Sequence, residues 1–177
     1  VMWIALSALF LFNVAMQAGR FDAFRLWIVH HLPNDRRIML VVLGFCFSAA
    51  LEGVAGFGTP VAITSALLIM LGFPALEALT YVLLFNSAPV AFGGLGIPIT
   101  VLASITGLPA TTLSSTIALQ LAPFACLIPF YVMVLYAGWR SLKQLWPVLL
   151  VAGGSFALTM VVVATFISYN LSNVLKL

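Results

Sequence analysis

The sequence predicts an all-α, polytopic membrane protein with a re-entrant hairpin and a discontinuous transmembrane helix. Three observations lead there: the composition, the length of the apolar runs, and two glycine–proline interruptions inside those runs. Hydrophobic residues make up 64% of the 177 positions and charged residues only 6%, with a mean hydropathy of +1.23. An average soluble domain carries about 25% charged residues, so water is not the main solvent for this surface. Several apolar runs approach or exceed the roughly 18 to 20 residues needed to cross about 30 Å of hydrocarbon. A membrane barrel would alternate polar and apolar residues, whereas the run at 145–167 is apolar on every face and has to be helical.

The first span is expected at about residues 2–19. It lacks a basic start and a small-residue cleavage site, which argues against a removable signal peptide. The chain begins with Val1 and ends in a short polar stretch at 169–177, so a longer parent protein is expected. Residues 20–36 read as an amphipathic helix lying in the interface. Phe21, Phe24, Trp27 or Ile28, and His31 or Leu32 recur at helical spacing with arginines around the rest of the turn. His30 and His31 read as part of a polar rim.

Residues 38–72 form two apolar arms around EGVAGFGTP at 52–60. Arms of about 12 to 14 residues reach only about 20 Å, past the midplane but not across, as in a re-entrant hairpin. Residues 75–107 are interrupted by NSAPVAFGGLGIP at 86–98 and read as one broken span. Two further spans are expected at 112–137 and 145–168. Arg20, Arg25, Arg36 and Arg37 fall in one basic segment, and Arg140 and Lys143 in another. The positive-inside rule places both segments, 20–37 and 138–144, in the cytoplasm. A hairpin that returns to its own side, followed by two crossings, satisfies that parity.

The two interruptions share a local pattern. GFGTPVAI at 56–63 and GLGIPITV at 94–101 both read G, apolar, G, x, P, apolar, x, apolar. Each sets glycines before a proline suited to the start of a helix, and Thr59 is placed as an N-cap before Pro60. Helix starts near mid-membrane gather free N–H groups and the positive dipole end where low dielectric strengthens their pull on a carboxylate. The candidate substrate-binding residues are therefore Gly56, Phe57, Gly58, Thr59, Asn86, Ser87, Gly94, Gly96 and Thr100. Glycine and proline also kink helices or let them pack closely. Two clusters with polar side chains beside them favour the binding reading over that simpler one. Glu52, a carboxyl at mid-membrane depth, is costly unless paired or functional. It either carries a coupled proton or caps backbone N–H groups at the hairpin tip. Glu77, near the start of the first half-helix, is explained by a favourable dipole contact.

Cys46 and Cys126 each stand alone in apolar sequence, without metal-ligand spacing, and read as buried small apolar residues. No metal, cofactor or nucleic-acid partner is expected. No hydrolase or metalloprotease motif is present in the sequence, so an enzyme is disfavoured. An anion channel is the rival, because re-entrant hairpins also build selectivity filters.

The segments LEGVAGFGTPVAI at 51–63 and ALTYVLLFNSAPVAFGGLGIPITVLA at 78–103 resemble the bacterial L-lactate permease family. The resemblance implies a multi-pass protein of the cell inner membrane that imports lactate, and often glycolate, by symport with protons. It also implies a grouping with ion transporters built from two inverted halves, each holding a hairpin and a broken helix at the substrate site. Members are several times longer than this chain. The partners so implied are a small carboxylate, protons, membrane lipid and the remainder of the parent chain, with a homo-oligomer as one permitted assembly. Another organic-anion carrier of the same superfamily stands beside the channel as an alternative.

Overall fold

The computed structural model describes residues 35–54, 56 and 58–167, with scattered positions before residue 35. The expected first span and interfacial helix thus lie largely outside the described residues. Among the described residues all regular structure is helical. In chain order it comprises α1 (Arg36–Met39), a π-helical stretch (Leu40–Phe47), α2 (Ser48–Val54) and α3 (Thr59–Met70). There follow α4 (Ala75–Asn86), a 3₁₀ turn (Val90–Phe92), α5 (Gly93–Thr106), α6 (Ala110–Val162) and a π-helical end (Val163–Ile167). The chain forms two compact units, Val1–Leu95 and Gly96–Leu177.

Among its described residues the first unit holds a helical hairpin with a third helix laid against it. Asp35 starts it as the N-cap of α1, its carboxylate accepting from the Arg37 N–H at 2.9 Å. The Arg37 guanidinium donates to the same carboxylate through Nε at 3.0 Å and Nη2 at 2.7 Å, a fork that fixes where the helix begins. Leu40, Val41, Leu43 and Phe45 carry the buried face of the first arm. α3 packs back on both the π-helical stretch and α2, so the chain doubles back on itself. The two ends of the hairpin meet at its base, where the Arg36 guanidinium lies 5.8 Å from the centre of the Phe73 ring.

α3 ends in a Schellman motif. Gly72, with φ +89°, donates its N–H to Ile69 O at 2.9 Å, and Phe73 donates to Leu68 O at 3.1 Å. Leu68 and Phe73 are both buried, and Pro74 then directs the chain into α4. α4 packs along α3, and its Ala78, Val82 and Phe85 are buried. The Phe85 ring sits on the first arm where Gly44 leaves room, since a Cβ there would stand 3.0 Å from two of its ring carbons. Phe45 and Phe85 also meet as a tilted aromatic pair, with centroids 5.6 Å apart.

The second unit holds an antiparallel helix pair. Gly138, with φ 74° and ψ 175°, interrupts α6 and separates two arms of about 28 and 24 residues, roughly 42 and 36 Å at 1.5 Å per residue. Each arm exceeds the about 30 Å of a hydrocarbon core. A Cβ on Gly153 would lie 2.6 Å from Cys126 O, so the backbones touch there. The Ser114 hydroxyl donates to Ala164 O at 3.4 Å. Both pairings centre close to residue 139, as an antiparallel fold about Gly138 requires. Small residues at such contacts let helices approach without a hydrophobic driving force, as they do in lipid. Leu119, Phe124, Leu127, Tyr131 and Leu158 are exposed, giving the pair an apolar exterior suited to hydrocarbon. Cys46 is exposed and Cys126 half-buried, which corrects the expectation that both are buried. Cys46 falls on the face of the first arm that its neighbouring helices leave uncovered.

Candidate functional site

The shared G-x-G-x-P pattern is reproduced in backbone conformation. Gly56 and Gly94 have φ of 59° and 55°, and Gly58 and Gly96 have φ of 80° and 77°. Only glycine populates this region freely, so the repeated glycines set both interruptions locally. The first interruption is narrower than 52–60, since α2 runs to Val54 and α3 resumes at Thr59. Gly58 is the N-cap of α3 and Thr59 is its first helical residue, correcting the assignment of Thr59 as the cap. The reason is conformational. The chain turns into the helix through a left-handed residue, which costs a β-branched threonine far more than a glycine. At the second interruption α4 ends at Asn86, and a turn and the 3₁₀ segment lead to Gly93. Pro98 is already inside α5, so this interruption too is shorter than 86–98.

Within the first unit the interruptions touch. A Cβ on Gly56 would lie 2.5 Å from Gly94 N, 2.9 Å from Gly94 Cα and 3.2 Å from Gly93 C. The first glycine of one repeat is thus in backbone contact with the first glycine of the other.

Glu52 lies beside this contact, on α2 one turn before the interruption. It is helical and not part of the tip itself, which corrects its placement there. Its side chain is only 2% exposed. The Asn86 side chain lies beside the carboxyl. On another side the carboxyl packs on the backbone of Gly93, where an added Cβ would collide with Glu52 Oε1 and stand 3.2 Å from Cδ. Ser48, four residues earlier on the same helical face, is also buried. The hairpin closes between Val54 and Thr59, which sets buried Thr64 at about the height of Ser48 on the opposite arm. Glu52 Oε2, Asn86 Oδ1, Ser48 Oγ and Thr64 Oγ1 are buried without a hydrogen-bond partner. Buried polar atoms are normally paired, so these four atoms are exceptions among the described residues.

The structure therefore brings together Glu52, Asn86, Gly56 and Gly94 from the expected set. Thr59 is buried at the start of α3, while Gly58 is exposed with open space around it. Ser87 is exposed and its hydroxyl donates to Leu84 O at 2.5 Å. Gly96 and Thr100 belong to the second unit, where exposed Thr100 donates to Ile97 O at 2.8 Å. Phe57 lies outside the described residues. Sequence reasoning missed Ser48, Thr64 and Gly93. The four-residue spacing of Ser48 and Glu52 was a usable signal, whereas nothing local marks Thr64 or separates Gly93 from its neighbours.

A family model described as L-lactate permease matches residues 1–176. The chain is 42% identical over 176 residues to the L-lactate permease of Salmonella typhimurium, covering 99% of this chain and 32% of that relative. It is 41% identical over 174 residues to a glycolate permease of Escherichia coli, covering 98% of this chain and 31% of that relative. The L-lactate permease of Bacillus subtilis is 40% identical over 174 residues, with the same coverage of 98% and 31%. The chain spans about a third of the length of these curated relatives. No solved structure matches it. A match across nearly every residue, on an all-helical framework with an apolar exterior, places this chain in the L-lactate permease family.

Proposed function

We propose that this chain is part of a secondary active transporter that carries 2-hydroxymonocarboxylates of the lactate and glycolate type across the bacterial inner membrane in symport with protons. The carrying observation is the contact between two glycine-rich helix interruptions beside a buried carboxyl. Irregular backbone at membrane depth is tolerated only where protein covers it or a polar cavity solvates it. The start of α3 after Gly58 offers the positive end of its helix dipole to a substrate carboxylate. In this reading residues 38–72 are a re-entrant hairpin, 75–107 a broken span, and both basic segments face the cytoplasm. The meeting of Arg36 with Phe73 at one end of the hairpin supports a chain that leaves on the side it entered.

Glu52 is the proton carrier. A charge on a side chain this buried is expensive, and a proton on the unpartnered Oε2 removes that cost. The names of the relatives support the substrate class, since they include both lactate and glycolate permeases. The test is L-lactate uptake with proton flux in vesicles holding the full-length parent protein and its Glu52→Gln variant. The expected result is a saturable wild-type uptake whose stimulation by an inward proton gradient falls about tenfold or more in the variant. Unchanged uptake and coupling in Glu52→Gln refute the role of Glu52. Unsaturable flux at channel rates refutes the carrier.

A further inference from the structure

We propose that Gly93 is a positioning residue for the Glu52 carboxyl, and that its missing side chain is the seat in which that carboxyl rests. This rests on the reading of Glu52 as proton carrier and deepens it. Gly93 has φ −62° and ψ 155°, a conformation open to any residue. Backbone freedom therefore does not explain a glycine here, as it does at Gly94 and Gly96, where φ is 55° and 77°. Space does. A Cβ at Gly93 would meet Glu52 Oε1 directly and crowd Cδ at 3.2 Å and Cγ at 3.3 Å, and no other group stands closer.

The carboxyl is thus held between the Asn86 side chain and the Gly93 backbone. Those two residues flank the interruption itself, Asn86 ending α4 and Gly93 opening α5. One acidic side chain from the hairpin consequently touches both edges of the broken helix. Gly56 presses on Gly94 immediately beside it, so the hairpin backbone leaves the seat little room to shift.

The test measures the pH profile of L-lactate uptake, with KM and maximal rate separated, in vesicles holding the full-length parent protein. The variants are Gly93→Ala, Glu52→Asp, the double variant Glu52→Asp/Gly93→Ala, and Glu52→Gln. Alanine at 93 displaces the carboxyl. Aspartate at 52 withdraws it by one bond, about 1.5 Å. The expected result for Gly93→Ala is a midpoint shifted by about one pH unit or more, or loss of proton stimulation, with lactate KM at saturating protons changed less than about threefold. The double variant is expected to recover proton coupling relative to Gly93→Ala. If Gly93→Ala does not accumulate in the membrane, recovery of accumulation by the double variant supports the seat, and failure to recover overturns it. A wild-type pH profile in Gly93→Ala, alongside an uncoupled Glu52→Gln, overturns the seat alone. Full coupling in Glu52→Gln overturns the proton-carrier reading beneath it.

Discussion

Replacing Gly56 by alanine combines two separable penalties, and Gly58 supplies the internal reference. Both residues hold a left-handed backbone, with φ of 59° and 80°. An L-residue in that region costs about 1–2 kcal/mol. At Gly58 nothing lies within 4 Å of an added Cβ, so Gly58→Ala incurs that backbone cost alone. At Gly56 the Cβ would stand 2.5 Å from Gly94 N and 2.9 Å from Gly94 Cα, both backbone atoms that cannot rotate aside. Forcing such a contact apart adds about 1–3 kcal/mol of overpacking. Gly56→Ala is therefore expected to cost about 2–5 kcal/mol in total, against about 1–2 for Gly58→Ala. Thermal unfolding of the full-length parent protein in detergent, with the two variants side by side, reads the difference. A Gly56→Ala variant no less stable than Gly58→Ala refutes the backbone contact between the two interruptions.

Two other substitutions test the framework. Gly153→Leu places a side chain against Cys126 O, 2.6 Å from its Cβ, and is expected to cost about 1–3 kcal/mol and spread the arms of α6. A disulfide or spin-label distance across the pair that stays at its wild-type value refutes that packing. At Asp35, hydrogen bonds from the Arg37 side chain hold the carboxyl below its ordinary value, outweighing partial burial. A depressed carboxyl contributes stability above its unfolded pKa, about 3.9, and loses it only as pH falls through the lower folded value. Asp35→Ala is expected to cost about 0.5–2 kcal/mol near neutral pH through loss of the cap. Its stability gap from wild type is expected to hold down to about pH 5 and to close progressively below it. A gap that closes above about pH 5 refutes the Arg37 pairing as the cause.

Membrane character, helical fold and the sites of interruption were legible in the sequence because each depends on local chemistry. Apolar runs have no alternative in lipid but to satisfy their backbone internally, which makes them helices. Glycine alone takes left-handed φ at little cost, so the repeated G-x-G-x-P predicts matching backbone geometry, and the φ pairs 59°/55° and 80°/77° agree with it. The same local reasoning erred on Thr59, where an adjacent glycine took the cap and left threonine as the first helical residue.

Tertiary structure alone decided what the interruptions meet. That Glu52 is helical and sealed between Asn86 and Gly93 depends on how α2, α4 and the start of α5 lie side by side. The same holds for Gly44, whose empty Cβ position admits the Phe85 ring from a helix forty residues away. Gly93 makes the division plain. Its sequence neighbours Gly94 and Gly96 are glycine because of their own φ, a property each residue carries with it. Gly93 is glycine because of what another segment places beside it, and that contact exists only once the chain has folded.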